Sequence, residues 1–336
     1  MVIDIHSHYV PARLIAEIKS HGPDFGVTAV ASSLDSVPAL HFDYGFKVRP
    51  FLPKLIESAD ERRAWLNSRG IDRQIVATWP DIYGYGLARD KCARWHRLLN
   101  ETLAEWCADN AKRFSWYASV PMPNAEDAAA ELEWAMSHDA VGVMIAANVE
   151  GTNLGEVALD PFWHRAEALH VPVVIHPVLV KAEPRVTRFA LAQIAYYTGD
   201  TTMAAGSLIF SGVLDRFPRL SVVLSHGGGT LPYLIGRFDL MHTRMDRQAQ
   251  GDVAIDSPSR YAKQMSYDTI VHAPHVLRFL AESFGFEQLV LGTDYSFPPA
   301  DLDPLKSLSD AGFSQDQIGA IVDANPNRIF PRLPAA

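Results

Sequence analysis

The sequence predicts an α/β protein, a (β/α)8 barrel of the TIM type, and three observations carry that prediction. Short apolar runs with strand character recur eight times. Amphipathic helical stretches separate them, the alternation that builds a parallel sheet. Residues capable of chemistry recur at the C-terminal ends of the runs, where a barrel of this kind gathers its active site.

The expected strands are residues 2–5, 74–78, 115–119, 142–145, 171–175, 221–225, 266–269 and 288–291. Several are apolar on both faces, as buried parallel strands should be. Helical periodicity falls at 59–69, 88–110, 125–137 and 161–169, the last introduced by Asp160-Pro161, read as an N-cap followed by proline in the first turn. Two stretches break the rhythm. Residues 24–49 follow the first strand without helical pattern; the alternation of Val27 with Ala29 and of Leu40 with Phe42 suggests a small hairpin insertion capping the barrel mouth. Residues 181–220 are long for one barrel helix, and Pro184 with a break at Thr198-Gly199-Asp200 implies two, the second over about 201–216. No repeat or Pro/Gly linker marks a second domain, so 1–336 is read as one. An open doubly wound sheet is the competing architecture, but no glycine-rich phosphate loop follows any strand.

Composition narrows the function classes. The 336 residues are 48% hydrophobic and 21% charged, ordinary for a soluble globular chain. A net charge of −9 with no basic stripe argues against nucleic acid or an anionic membrane as partner. No apolar run approaches the ~20 residues of a membrane span, and Met1 leads directly into a strand, leaving no room for a signal peptide. Cys92 and Cys107, outside any C-x-x-C pattern, fit a reduced, cytoplasmic protein.

The first run ends His6-Ser7-His8. Side chains of a strand alternate, so both histidines point to one side and can grip one metal ion. A lone H-x-H would read only as polar residues leaving a strand. The other strand ends add His176-Pro177 after the fifth run, His226 with Gly227-Gly228-Gly229 after the sixth, and Thr293-Asp294-Tyr295 after the eighth. Four imidazoles and a carboxylate suit Zn²⁺ or a similar divalent transition metal. Each residue also has a structural reading: Asp294 as an N-cap, His226 as the start of a tight glycine turn, His176 as a polar cap on a buried strand.

Asp4-Ile5-His6-Ser7-His8, Val174-Ile175-His176-Pro177, Ser225-His226-Gly227-Gly228-Gly229 with Gly236-Arg237-Phe238-Asp239, Leu291-Gly292-Thr293-Asp294-Tyr295-Ser296-Phe297-Pro298 and Asn325-Pro326-Asn327-Arg328-Ile329-Phe330 occur in that order. Together they resemble the amidohydrolase superfamily, and within it the branch of metal-dependent decarboxylases typified by 2-amino-3-carboxymuconate-6-semialdehyde decarboxylase. The resemblance covers essentially the whole chain. It implies that His6, His8, His176 and Asp294 hold one divalent metal, zinc first and manganese as the alternative, and that His226 is a catalytic histidine beside it. It also implies that Arg237 binds a substrate carboxylate, in some members across a dimer interface, and it offers Arg49 as a second such arginine. Related binuclear enzymes carry a lysine or glutamate after strand four; Ile145-Ala146-Ala147-Asn148 stands there in this chain, which favours one metal. A homodimer pairing through 181–220 and the segment after His226 is the implied assembly.

The expected activity is non-oxidative decarboxylation of a small aromatic or unsaturated carboxylic acid. A bound cation can anchor such a substrate; Asp294 and His226 are the two candidates for proton transfer to carbon. A path that first adds an activated water, with His226 as base, is equally open. The runner-up activity is a metal-dependent hydrolase of a lactone, ester or C–C bond on the same site, because one barrel hosts many reactions. A non-catalytic binding protein should have lost a ligand, and none is missing. Trp79, Tyr83 and Tyr85 follow strand two and could wall a pocket, Trp79 foremost, with packing under a loop as the alternative. His272, after strand seven, is the remaining histidine near a strand end.

Overall fold

A computed structural model describes residues 1–31, 37–179, 181 and 183–334. Its central sheet has eight strands in sequence order. They are β1 (Ile3–His8), β2 (Arg73–Ala77), β3 (Phe114–Ala118), β4 (Gly142–Ala146), β5 (Val173–His176), β6 (Val222–Leu224), β7 (Ser266–Asp268) and β8 (Leu289–Val290). Every neighbouring pair is parallel. Beyond β8 the chain closes onto β1: Ile5 N–H donates to Leu291 O at 2.8 Å, Asp294 N–H donates to His6 O at 2.8 Å, and Ser7 bridges Tyr295 in parallel. Helices lie between successive strands, among them Arg89–Asp109, Ala125–Met136, Asp160–Ala168, Tyr197–Phe210, Leu231–Arg244 and Pro274–Phe284. None is long and apolar enough to cross a membrane among the described residues.

The core has two layers. Inside the barrel, Ile3, Ile5, Ile75, Tyr117, Met144, Val174, Val223 and Val290 fill the lumen, and Phe330 packs against Tyr117 with ring centroids 5.7 Å apart. A larger apolar layer lies between strands and helices. Carrying the two-residue period forward from Ile3 and Ile5 would send His6 away from the lumen. The register between β1 and β2 shifts between Asp4 and Ser7, with one extra residue on β1. That bulge turns His6 and His8 back toward the barrel mouth.

Several boundaries differ from expectation. The first strand runs on to His8, so both histidines are strand residues. Asp160 does not cap its helix; it is the first helical residue after Leu159, with Pro161 in the first turn as expected. The break expected at Thr198-Gly199-Asp200 is absent. A π-helical turn at Ala192–Tyr196 feeds directly into Tyr197–Phe210, which runs through Gly199, where an added Cβ would meet nothing within 4 Å. The chain breaks instead at Gly212, whose φ of 71° is left-handed, before the short helix Val213–Arg216. Residues 24–49 contain a 3-10 turn and a three-stranded antiparallel sheet, Val27–Val30, Ala39–Phe42 and Lys47–Val48, with Val27, Leu40 and Phe42 buried. Residues 32–36 of that insertion, and 182 of the 181–220 stretch, lie outside the described residues.

Candidate active site

The strand ends place five side chains in one buried cluster at the C-terminal mouth of the barrel. His6 Nε2 lies 3.2 Å from His8 Nε2, and Asp294 Oδ1 lies 3.5 Å from the first and 3.3 Å from the second. His176, the last residue of β5, has its ring centroid 5.1 Å from that of His6 and 4.8 Å from that of His8. His226 Nε2 is 3.5 Å from Asp294 Oδ2. One donor atom from each of His6, His176, His226 and Asp294 falls within a 4.8 Å group, and His8 touches two members of it. His226 thus stands as close to the centre as the four residues expected as ligands.

The donors are held by partners behind them. His6 Nδ1 shares a 2.7 Å hydrogen bond with Asp268 Oδ2, which turns the other nitrogen inward. His176 Nδ1–H donates to Pro177 O at 2.8 Å, leaving buried Nε2 without a partner, as is Asp294 Oδ1. Buried polar atoms facing one another unpaired are what a cation would satisfy. Asp4, at the start of the DIHSH run, accepts from Gln74 Nε2 (2.6 Å), Thr293 N (3.1 Å), Thr293 Oγ1 (2.6 Å) and His6 N (3.1 Å), tying β1, β2 and the Asp294 turn together.

Protonation follows from burial and neighbours. Burial pushes His8 down to about 4 and His176 well below the ordinary imidazole range, so both are neutral at pH 7. Burial would lift the Asp294 carboxyl, but the close imidazoles of His226, His8 and His6 hold it well below the usual carboxylate range. Burial would likewise lower His6, and the Asp268 hydrogen bond with the Asp294 charge outweighs it, leaving His6 raised. Neutral His8 and His176 and an ionised Asp294 are already in the forms that ligate a divalent metal, and His6, held as a proton donor to Asp268 through Nδ1, would give up its Nε2 proton to the ion; the donor set fits such a metal.

Asp268 is the residue sequence reasoning missed. It ends β7, and besides His6 it accepts from His226 N (2.9 Å), Gly227 N (2.8 Å) and Ile270 N (3.1 Å). The His226 turn is therefore anchored by backbone hydrogen bonds, with His226 itself at φ 55° and three positive-φ glycines behind it. An added Cβ at Gly229 would stand 2.0 Å from Thr198 O, so the turn packs backbone to backbone against the neighbouring helix.

A cavity of about 450 Å³ opens over the cluster, with His176, His226 and Asp294 on its floor and Trp79, Phe297, Ile194 and Val276 among its walls. A larger hollow of about 700 Å³, lined by Arg13, Trp134 and Arg332 among others, contains none of the clustered donors. Arg49 lines the smaller cavity with its guanidinium carbon 5.3 Å from the Trp79 ring centroid. His272 lines it too. Tyr83 and Tyr85 pack instead around buried His96. Asn148, after β4, donates to buried Asp200, which also accepts from Val178 N just beyond His176. Arg237 is exposed on Leu231–Arg244, outside the cavity of its own chain.

The family model described as Amidohydrolase matches residues 3–332. The chain belongs to the amidohydrolase family, in the branch of 2-amino-3-carboxymuconate-6-semialdehyde decarboxylase: it is 33% identical to that enzyme of Dictyostelium discoideum over 247 residues, 73% of this chain and 68% of the relative. Among solved structures, 5-carboxyvanillate decarboxylase from Sphingomonas paucimobilis shares the fold at a TM-score of 0.82 and 22% identity over 98% of both chains. So does a dihydroxybenzoic acid decarboxylase from a Polaromonas species, solved with bound manganese and the inhibitor 2-nitroresorcinol, at a TM-score of 0.77 and 20% identity, covering 99% of this chain and 98% of that one.

Proposed function

We propose that the protein is a metal-dependent, non-oxidative decarboxylase of a small aromatic or unsaturated carboxylic acid. The observation that carries this reading is the buried cluster of His6, His8, His176, His226 and Asp294 on the floor of a cavity walled by Trp79 and Phe297. Relatives named as decarboxylases of gamma-resorcylate and 6-methylsalicylic acid, which are aromatic, and of 2-amino-3-carboxymuconate-6-semialdehyde, which is unsaturated, support it.

His6, His8, His176 and Asp294 would hold the ion. Three imidazoles and a carboxylate suit zinc, and manganese, as in the Polaromonas relative, is the alternative. When bound, the cation supplies Lewis acidity toward the oxygens of the substrate. The chain's own residues do the rest. Trp79 and Phe297, with ring centroids 6.3 Å apart, offer flat apolar walls to an aromatic ring. His226 and Asp294 share the cavity floor, and a proton held on this pair passes to the ring carbon bearing the carboxylate. The C–C bond then breaks, its electron pair returns to the ring, and CO₂ leaves.

We assign the working form as a homodimer. Tyr233, Arg237 and Met241 follow one another at four-residue spacing, a single helix stripe, and Tyr233 is 82% exposed. Met203 on Tyr197–Phe210 and Ile194 in the π-helical turn before it are exposed as well, and we read these residues as the surface a second copy would cover, bringing its Arg237 toward the neighbouring cavity. We read the whole chain as one domain, with the 24–49 insertion capping the mouth through Arg49. The two buried, unpaired cysteines suit a reducing compartment such as the cytoplasm.

The test is a panel of hydroxybenzoic acids, unsaturated acids and aryl lactones offered to metal-loaded protein, with CO₂ and ring-opened acid both followed. The reading expects CO₂ from at least one carboxylic acid and intact lactones. Lactone opening with inert acids would replace it by the hydrolase.

A further inference from the structure

The cavity wall carries a carboxylate that the chemistry above does not use. Asp81 sits in the 3-10 turn Pro80–Ile82 that leaves β2, two residues after Trp79, and lines the cavity together with Arg49 and Tyr197. Among the described residues it forms no ion pair within 4.0 Å. Arg49 is nonetheless close enough to be the strongest charge acting on it, and Tyr197 feels both groups. Burial pushes the Asp81 carboxyl up to about 6, against the pull of Arg49 and of a side-chain hydrogen bond with Trp79, a value still on the anionic side of pH 7. The pocket lining therefore holds a cation and an anion set apart by more than an ion-pair distance.

We propose that Asp81 is a specificity-determining residue that, with Arg49, selects an aromatic acid bearing a hydroxyl toward this pair and rejects one bearing a second carboxylate there. The proposal rests on the decarboxylase reading for the identity of the reacting carboxylate, but not for the recognition itself. A ring hydroxyl meets both side chains at once: its proton goes to Asp81, and its lone pairs accept from the Arg49 guanidinium. A carboxylate would gain Arg49 and face Asp81 at close range, like charge against like in a partly desolvated wall. A plain ring would offer neither side chain a polar partner. The presence of Asp81 thus changes the meaning of Arg49, whose charge is offset before a substrate arrives.

The test uses metal-loaded wild type, Asp81→Asn and Asp81→Glu, and matched probes: dihydroxybenzoic acids, and hydroxybenzenedicarboxylic acids with the second carboxyl at the same ring position. Affinity is read by calorimetry and CO₂ release in parallel, with metal content as the check on folding. For at least one ring position, wild type should bind the hydroxyl probe at least tenfold more tightly than its carboxyl partner. Asp81→Asn should shrink that ratio at least tenfold, mainly by gaining affinity for the dicarboxylic acid, and Asp81→Glu should keep the hydroxyl preference. A ratio within twofold of wild type in Asp81→Asn, or a wild type that prefers the dicarboxylic partner, overturns the proposal. The two readings fail separately. CO₂ release with an unmoved ratio removes only the role of Asp81, and a shifted ratio with no CO₂ from any acid removes only the decarboxylase.

Discussion

Asp268 holds the site together from behind, and its removal should be felt at the metal. It fixes the ring of His6 and the backbone of His226 and Gly227 at once. Asp268→Asn keeps the size but weakens acceptance from an imidazole N–H, and metal affinity should fall by about 10–100-fold, measured by chelator competition. His226→Ala should instead abolish turnover while bound metal stays near the wild-type amount, checked by elemental analysis beside a CO₂ assay. Asp200 gives a pH signature independent of activity. Burial raises its carboxyl from 3.8 to about 6, above its value in the unfolded chain. The folded state therefore holds this proton more tightly, and the associated stability is complete below about pH 4 and lost as pH rises through 6. Up to about 3 kcal/mol of slope should separate wild type from Asp200→Asn in urea unfolding between pH 4 and 7. The four clustered histidines are legible in the sequence because each sits at a strand end, where histidine has few structural uses, and Asp294 is legible through the ordered motifs that accompany them. Nothing comparable marks Asp268, Asp81 or Asp200, since aspartate after a strand or in a helix has many ordinary fates, and only the folded contacts distinguish them.

The element that most constrains the site is the turn after β6. Gly229 has a φ of 65° and approaches Thr198 O so closely that a methyl group forces the turn away from the helix behind it. Gly229→Ala should destabilise the fold by about 1–3 kcal/mol from backbone strain alone, read as a lowered thermal midpoint, and should reduce activity further by displacing His226. The glycine triplet is visible in sequence, but its packing partner is not, because Thr198 lies in a stretch whose helix boundary the local signals misplace. Thr198-Gly199-Asp200 looks like a breaker, yet Gly199 occupies an open position where helix continues without steric conflict. The bulge in β1 is equally silent in sequence. The like-facing pair His6 and His8 follows from strand periodicity, whereas their turn toward the lumen depends on a register shift that only pairing with β2 reveals.

At the scale of the whole molecule, the barrel is the most legible feature, since eight apolar runs in sequence order close in that same order. Assembly is less so, because an exposed tyrosine and methionine stripe is invisible until the helix face is known. Tyr233→Glu in that stripe should shift sedimentation from dimer toward monomer and lower activity in parallel, and Arg237→Ala should raise KM about tenfold or more with the dimer intact. A wild type that sediments as a monomer at every concentration would remove the assembly and the shared role of Arg237 together. The central claim is that one divalent ion in the His/Asp cluster makes this barrel a decarboxylase. It is tested most directly by titrating metal-stripped protein with zinc or manganese while recording CO₂ release from hydroxybenzoic acids. The account predicts activity that rises with bound metal and saturates at one ion per chain, and that disappears again with chelator. CO₂ release at full rate from metal-stripped protein, or saturation at two ions per chain, would contradict it.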